Sequence, residues 1–192
     1  ILSLDDSTPA KSVDDSLVKP TPDDPHIWID PFLAIKEVER IRDGFMAYDP
    51  AHADLYARNA EQFILKLLVL DADIRSGLAN IETRAFVTFH PAFRYFAYEY
   101  GLREIATIEE IAGDEPSPAE LKRIINEMKK HDVKVIFSEP QFSPKIVEAL
   151  ARDYGLRIAQ LDPLETGELR ADYYEEVMRK NLETLRDVFN VK

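Results

Sequence analysis

The sequence predicts an α/β fold: a four-stranded parallel sheet flanked by helices and preceded by a long connecting helix. Three observations predict it. From residue 84 onward, four short β-branched or aromatic runs each lead into a helical stretch, the alternation that builds βαβ units. Upstream, residues 31–80 repeat apolar side chains at helical spacing. Hydrophobic residues make up 45% of the 192-residue chain and charged residues 31%, a balance that supports a packed core rather than global disorder.

Taken in order, residues 1–25 are polar and proline-containing. Ile1, Leu2 and Leu4 suit the end of a strand, and Asp5–Asp24 reads as a loop or linker. The chain starts without Met and without a basic segment followed by an apolar one, so a mature form or a fragment is expected rather than a signal peptide. Residues 31–48 read as a helix, with Asp30 as its cap, Pro31 at its first position, and Phe32, Ile35, Val38 and Ile41 on one face. A second helix is expected from Asp49 to about Asn80, with Phe63, Leu67, Leu70, Ile74 and Leu78 at steps of three and four. At 1.5 Å per residue it would be roughly 45 Å long, a strut able to reach another domain.

The strand candidates are Ala85–Phe89, Glu104–Ile108, Val133–Ser138 and Arg157–Leu161. Helices are expected at about 91–100, 117–131, 144–154 and 172–189. Ser117, Pro118 and Glu120 spell a capping box, and Gly101 and Gly155 stand where helices end. Strands alternating with helices imply a parallel sheet covered on both faces.

Composition removes several functions. Acidic residues number 36 against 24 basic ones, for a net charge of -12. Nucleic acid and anionic membrane surfaces are poor partners for such a chain, because they need clustered Lys and Arg. There is no Cys, hence no disulfide, thiolate metal site or thiol nucleophile. No stretch approaches the ~18 apolar residues of a membrane span.

In open α/β sheets ligands bind beyond the carboxyl ends of the strands. The residues standing there are His90, Glu109-Glu110, Glu139 and Asp162. One imidazole with several carboxylates on one rim is the composition of a divalent transition-metal site. The same residues also suit helix caps, solvated loops and, for His90, a buried histidine bonded within the core. A further cluster, Asp24-Pro25-His26-Ile27-Trp28-Ile29-Asp30-Pro31, reads as a short extended segment. In it His26 and Trp28 face one side, either as a pocket wall or with His26 exposed beside a plain cap. His52 and His131 read as ordinary exposed residues.

These residues carry a family resemblance. DPHIWIDP at 24–31 resembles the D-x-H-x-W signature of the periplasmic zinc- and manganese-binding proteins of ABC transporters, the ZnuA/TroA type. VTFHPAFRYFAYEYGL (87–102), EPSPAEL (115–121), VKVIFSEPQFSPKIVEAL (133–150) and IAQLDPL (158–164) correspond in order. The resemblance spans about residues 24–190 and implies half of a two-lobed fold. Residues 1–25 would be a linker or remnant of an N-terminal lobe. Residues 26–82 would be the His-x-Trp segment and connecting helices, and 83–192 the C-terminal lobe.

It further implies a non-catalytic, metal-binding component on the outer side of the cell membrane, periplasmic or surface-attached as a lipoprotein. Such a component delivers Zn²⁺, or alternatively Mn²⁺, to an ABC permease. The implied ligands are His26, His90 and Asp162, with Glu139, Trp28 and Glu110 as supporting residues. The family's first-lobe histidine and its His-rich loop have no counterpart here, so the missing lobe or a second copy would complete the site. Two imidazoles and a carboxylate lean toward zinc. They are also the ligand set of a catalytic zinc site, so the competing expectation is a zinc-dependent hydrolase with Glu139 or Glu110 as base. The chain contains no H-E-x-x-H, G-x-S-x-G or phosphate-binding glycine loop to support it.

Overall fold

Asp30 opens the first helix. Its carboxylate accepts from Phe32 N–H at 2.8 Å and Leu33 N–H at 3.4 Å, filling orphan donors of the first turn. Pro31 takes the first helical position, where a missing N–H costs nothing. In the computed structural model, which describes residues 20–21, 23–81, 84–109, 116–142 and 145–189, this helix, α1, spans Pro31–Tyr48. The proposed strand end and loop at residues 1–19 lie outside the described residues, as does Glu110.

The second helix is shorter than its periodicity implies. Pro50–His52 form one 3-10 turn, and α2 runs over Ala53–Leu78, 26 residues. Asp49 sits at φ -130°, ψ 74°, because a residue before proline is pushed out of the α region. α1 folds back onto α2 as a hairpin through Ala34, Ile35 and Leu67, with Val38 and Phe63 beside them. Ile41, expected on the apolar face, is 57% exposed, since it lies beyond that contact.

The sheet comprises β1 (Ala85–Thr88), β2 (Arg103–Thr107), β3 (Val135–Ser138) and β4 (Arg157–Gln160). All pairings are parallel and the order is β2-β1-β3-β4. Helices α3 (Arg94–Tyr100), α4 (Pro118–Lys130), α5 (Lys145–Tyr154) and α6 (Tyr173–Phe189) supply the crossovers and the C-terminal layer. Three expected strands are shortened by a residue or two at one end, and β2 keeps its length but lies one residue earlier than expected.

Side chains alternate across the sheet. Phe86, Val135 and Phe137 face Leu70, Ile74 and Leu78 of α2, Phe96 of α3 and Leu182, Leu185 and Phe189 of α6. Ala85, Val87 and Ile136 face Ile124 and Met128 of α4 and Val147 and Leu150 of α5. Both faces are therefore covered, and each fully buried Phe or Ile contributes about 1.5–3 kcal/mol by leaving water. Gly101 stops α3 at φ 69°, a left-handed conformation that costs a residue with a Cβ. The capping box at Ser117 and Glu120 forms as spelled. Among the described residues, no helix is long and apolar enough to cross a membrane.

The strand order decides where a ligand can sit. β1 leads outward to β2 on one side, and β3 leads outward to β4 on the other. The crevice between the ends of β1 and β3 is thus the topological switch point. His90 follows β1 and Glu139 follows β3, so both residues stand at that crevice.

Candidate metal centre

Glu139 is 2% exposed, and its position is fixed by what it binds. Oε1 accepts from His90 N–H at 3.0 Å, and Oε2 lies 2.6 Å from His90 Nδ1. That second contact is short, but the oxygen stands off the ring N–H direction, so it is electrostatic rather than an aligned hydrogen bond. Phe142 caps the far side of the imidazole, 5.5 Å between centroids, and itself stacks on Phe89 at 4.6 Å. His90 is buried and presents Nε2 to the crevice.

His26 arrives from a different part of the chain. The segment expected to be extended is a 3-10 turn, Ile27–Ile29. Asp24 causes this: its Oδ1 accepts from His26 N–H at 3.0 Å and lies 2.7 Å from His26 Nδ1, an Asx-type turn that tightens the backbone. His26 and Trp28 still share a side, with rings 5.4 Å apart. Trp28 Nε1–H donates to Pro163 O at 2.9 Å, and Tyr174 Oη–H of α6 donates to Trp28 O at 2.7 Å. Ile29 is fully buried in the core beneath. The imidazoles of His26 and His90 meet edge to face, 5.2 Å between centroids.

The third group comes from the loop after β4, and it is Glu165. Its Oε1 stands 2.9 Å from His90 Nε2 and 3.3 Å from His26 Nε2. Ligand atoms of His26, His90 and Glu165 lie within 4.8 Å of one another. Asp162, expected as the third ligand, is not in this group. Its Oδ1 is taken by Leu164 N–H at 2.9 Å, and Asn181 brackets its backbone, accepting from Asp162 N–H at 2.9 Å and donating to Asp162 O at 2.8 Å. Leu164 then adopts φ 59°, a left-handed conformation uncommon for a branched residue. The turn swings the chain so that the next residue reaches the crevice. Asp162 is the first carboxylate after β4, and Glu165, three residues further along the same loop, is the one that reaches the imidazoles.

The electrostatics favour a cation. Asp24, Glu139 and Glu165 surround two imidazoles. Burial works against charge on His90, but Glu139 and Glu165 outweigh it and raise its pKa above the usual histidine value. The same carboxylates favour the protonated form of His90 when no metal is bound. The other histidines stand apart. His52 is exposed and paired with Asp49, as expected. His131 is half-buried instead, between Arg103 and Glu127.

Comparison with known proteins gives the arrangement its context. Residues 3–188 match the family model described as ZnuA, zinc-uptake complex component A, periplasmic. The zinc-binding protein AdcA of Streptococcus pyogenes is 40% identical over 168 residues, which are 85% of this chain and 32% of that protein. The high-affinity zinc uptake system protein ZnuA of Bacillus subtilis is 36% identical over 174 residues, 88% of this chain and 54% of that one. A mutant structure of the laminin-binding adhesin Lmb from Streptococcus agalactiae superposes with a TM-score of 0.82 at 35% identity, covering 91% of this chain and 67% of that one. The chain thus spans about a third to a half of the length of these two curated relatives. Its fold and its matched residues together make it a member of the ZnuA family of periplasmic zinc-uptake components.

Proposed function

We propose that this chain is a metal-capturing part of an ABC transporter's binding component. It holds Zn²⁺, with Mn²⁺ as the alternative cargo, through His26, His90 and Glu165. It passes the ion to a membrane permease from the periplasmic or extracellular side, attached to the cell surface. The observation that carries this reading is the convergence of two imidazole Nε2 atoms on one carboxylate oxygen at the switch point. Tetrahedral ligands about 2.0–2.1 Å from zinc stand roughly 3.3 Å apart, close to the 2.9 and 3.3 Å found here. Each histidine meets a carboxylate at Nδ1, Asp24 or Glu139, which orients the ring and leaves Nε2 for metal.

The chemistry is binding, not bond-making. Neutral His26 and His90 donate electron pairs, Glu165 neutralises one charge, and uptake competes with protonation of His90, which the neighbouring carboxylates favour. Trp28 braces the His26 turn against the Glu165 loop. Within this reading, residues 26–82 are the strap and connecting helices and 83–192 the C-terminal lobe of a two-lobed protein. The N-terminal lobe, or a second copy, supplies the remaining ligand. Glu139 makes a poor hydrolytic base because both its oxygens are engaged by His90 and Gln141.

Titration with Zn²⁺ tests the proposal. Saturable 1:1 uptake and a raised melting temperature by mass action are expected, and His90→Ala should weaken binding at least about tenfold. Absence of saturable uptake, or unchanged affinity in His90→Ala, would refute it.

A further inference from the structure

Gln141 is engaged in a way the binding reading leaves unexplained. Its side-chain amide donates to Glu139 Oε2 at 3.1 Å and to Glu165 Oε2 at 3.1 Å. A primary amide has two N–H donors, and here both acceptors are carboxylate oxygens of different strand-end loops. The orientation of the amide is therefore fixed by chemistry, since its own oxygen would face two anions.

Glu139 is buried and fastened to His90, so it is the anchor. Glu165 is the more exposed partner, with its side chain 29% exposed, and Gln141 ties it to that anchor. The tie is made to Oε2 alone; Oε1 is the oxygen that faces His26 and His90.

From this geometry we infer that Gln141 determines metal selectivity by reserving Oε2 of Glu165, so that the carboxylate offers a bound ion one oxygen instead of two. The inference rests on the function proposed above. One oxygen and two imidazoles keep the coordination number low, which suits tetrahedral Zn²⁺. A carboxylate free to chelate through both oxygens adds a ligand and shifts the site toward ions that take more oxygen donors, Mn²⁺ among them. Gln141 is thus a positioning residue that touches the ligand and not the ion.

The test uses Gln141→Met, which keeps the length and removes the donor, with Gln141→Ala as a second variant that cannot overpack. Zn²⁺ and Mn²⁺ affinities are measured by chelator competition, and Co²⁺ serves as a spectroscopic stand-in for zinc. Both variants should lower the ratio of Zn²⁺ to Mn²⁺ affinity by about tenfold. The visible Co²⁺ absorption should also lose intensity as its coordination number rises. Equal losses for both metals with an unchanged Co²⁺ spectrum would mean that Gln141 only supports the fold, and would overturn the inference while leaving the metal site standing. Failure of the unmodified protein to take up any of the three ions would overturn the proposed function, and this inference with it.

Discussion

Replacing Glu139 by Gln separates two effects that act on His90 in opposite directions. The carboxylate serves three partners: His90 N–H at 3.0 Å, His90 Nδ1 at 2.6 Å and Gln141 Nε2 at 3.1 Å. An amide has one acceptor oxygen and two donors, so at least one buried donor loses its partner and the ring loses its orienting charge. Loss of such an orienting partner weakens metal binding about 10–100-fold, equivalent to roughly 1.4–2.7 kcal/mol. The buried unmet group adds about 1–3 kcal/mol of destabilisation, or a melting temperature lower by roughly 3–10 °C for a chain of this size.

Opposing this, Glu139 helps to raise the pKa of His90, and the proton it retains competes with zinc. In Glu139→Gln that competition weakens. The loss in affinity should therefore be largest near pH 8 and smaller near pH 6. Competition against a chromophoric chelator at pH 6, 7 and 8 measures both terms, and a melt without metal measures the third. A loss below about threefold at pH 8, or one that grows as pH falls, would refute the assignment of Glu139 as the residue that orients His90.

In the unmodified protein, zinc affinity should fall with decreasing pH, starting above the ordinary histidine value near 6.5, because His90 is raised. Its slope should approach about one decade per pH unit per proton displaced. Metal-free stability should run the other way: the His90 contribution is complete below the unfolded value and is lost as pH rises through the folded one, which pH-dependent chemical denaturation would detect. Asn181→Ala should cost about 1–3 kcal/mol, because it strips both bonds from the Asp162 backbone; it should also weaken zinc through Glu165, and a melt paired with a zinc titration checks both.

Asp30 offers a separate test. Burial, with Glu99 and Asp71 nearby and its two backbone bonds opposing, pushes its pKa up to about 7. Its folded value exceeds its unfolded one, so its contribution is complete below about pH 4 and lost as pH climbs to 7. Asp30→Asn keeps the cap and should flatten that slope in pH-dependent denaturation; Asp30→Ala should flatten it as well and be about 1 kcal/mol less stable than Asp30→Asn at every pH.

By itself the sequence determined the layers and most of their edges. The caps at Asp30 and Ser117, the proline after Asp49 and the alternation of apolar runs with helical faces are local signals, and local signals survive in one dimension. It also held the imidazoles: His26 and His90 stand in motifs dense enough to be picked out. What it did not contain was which carboxylate, Asp162 or Glu165, comes to lie beside the two imidazoles. That choice depends on the left-handed backbone at Leu164 and on Asn181, nineteen residues downstream of Asp162, which grips that residue's peptide groups across the space between β4 and α6. The double tie of Gln141 was hidden for the same reason. A hydrogen bond between distant residues is set by where their elements pack, and packing is a property of the assembled sheet and helices rather than of any stretch of the chain.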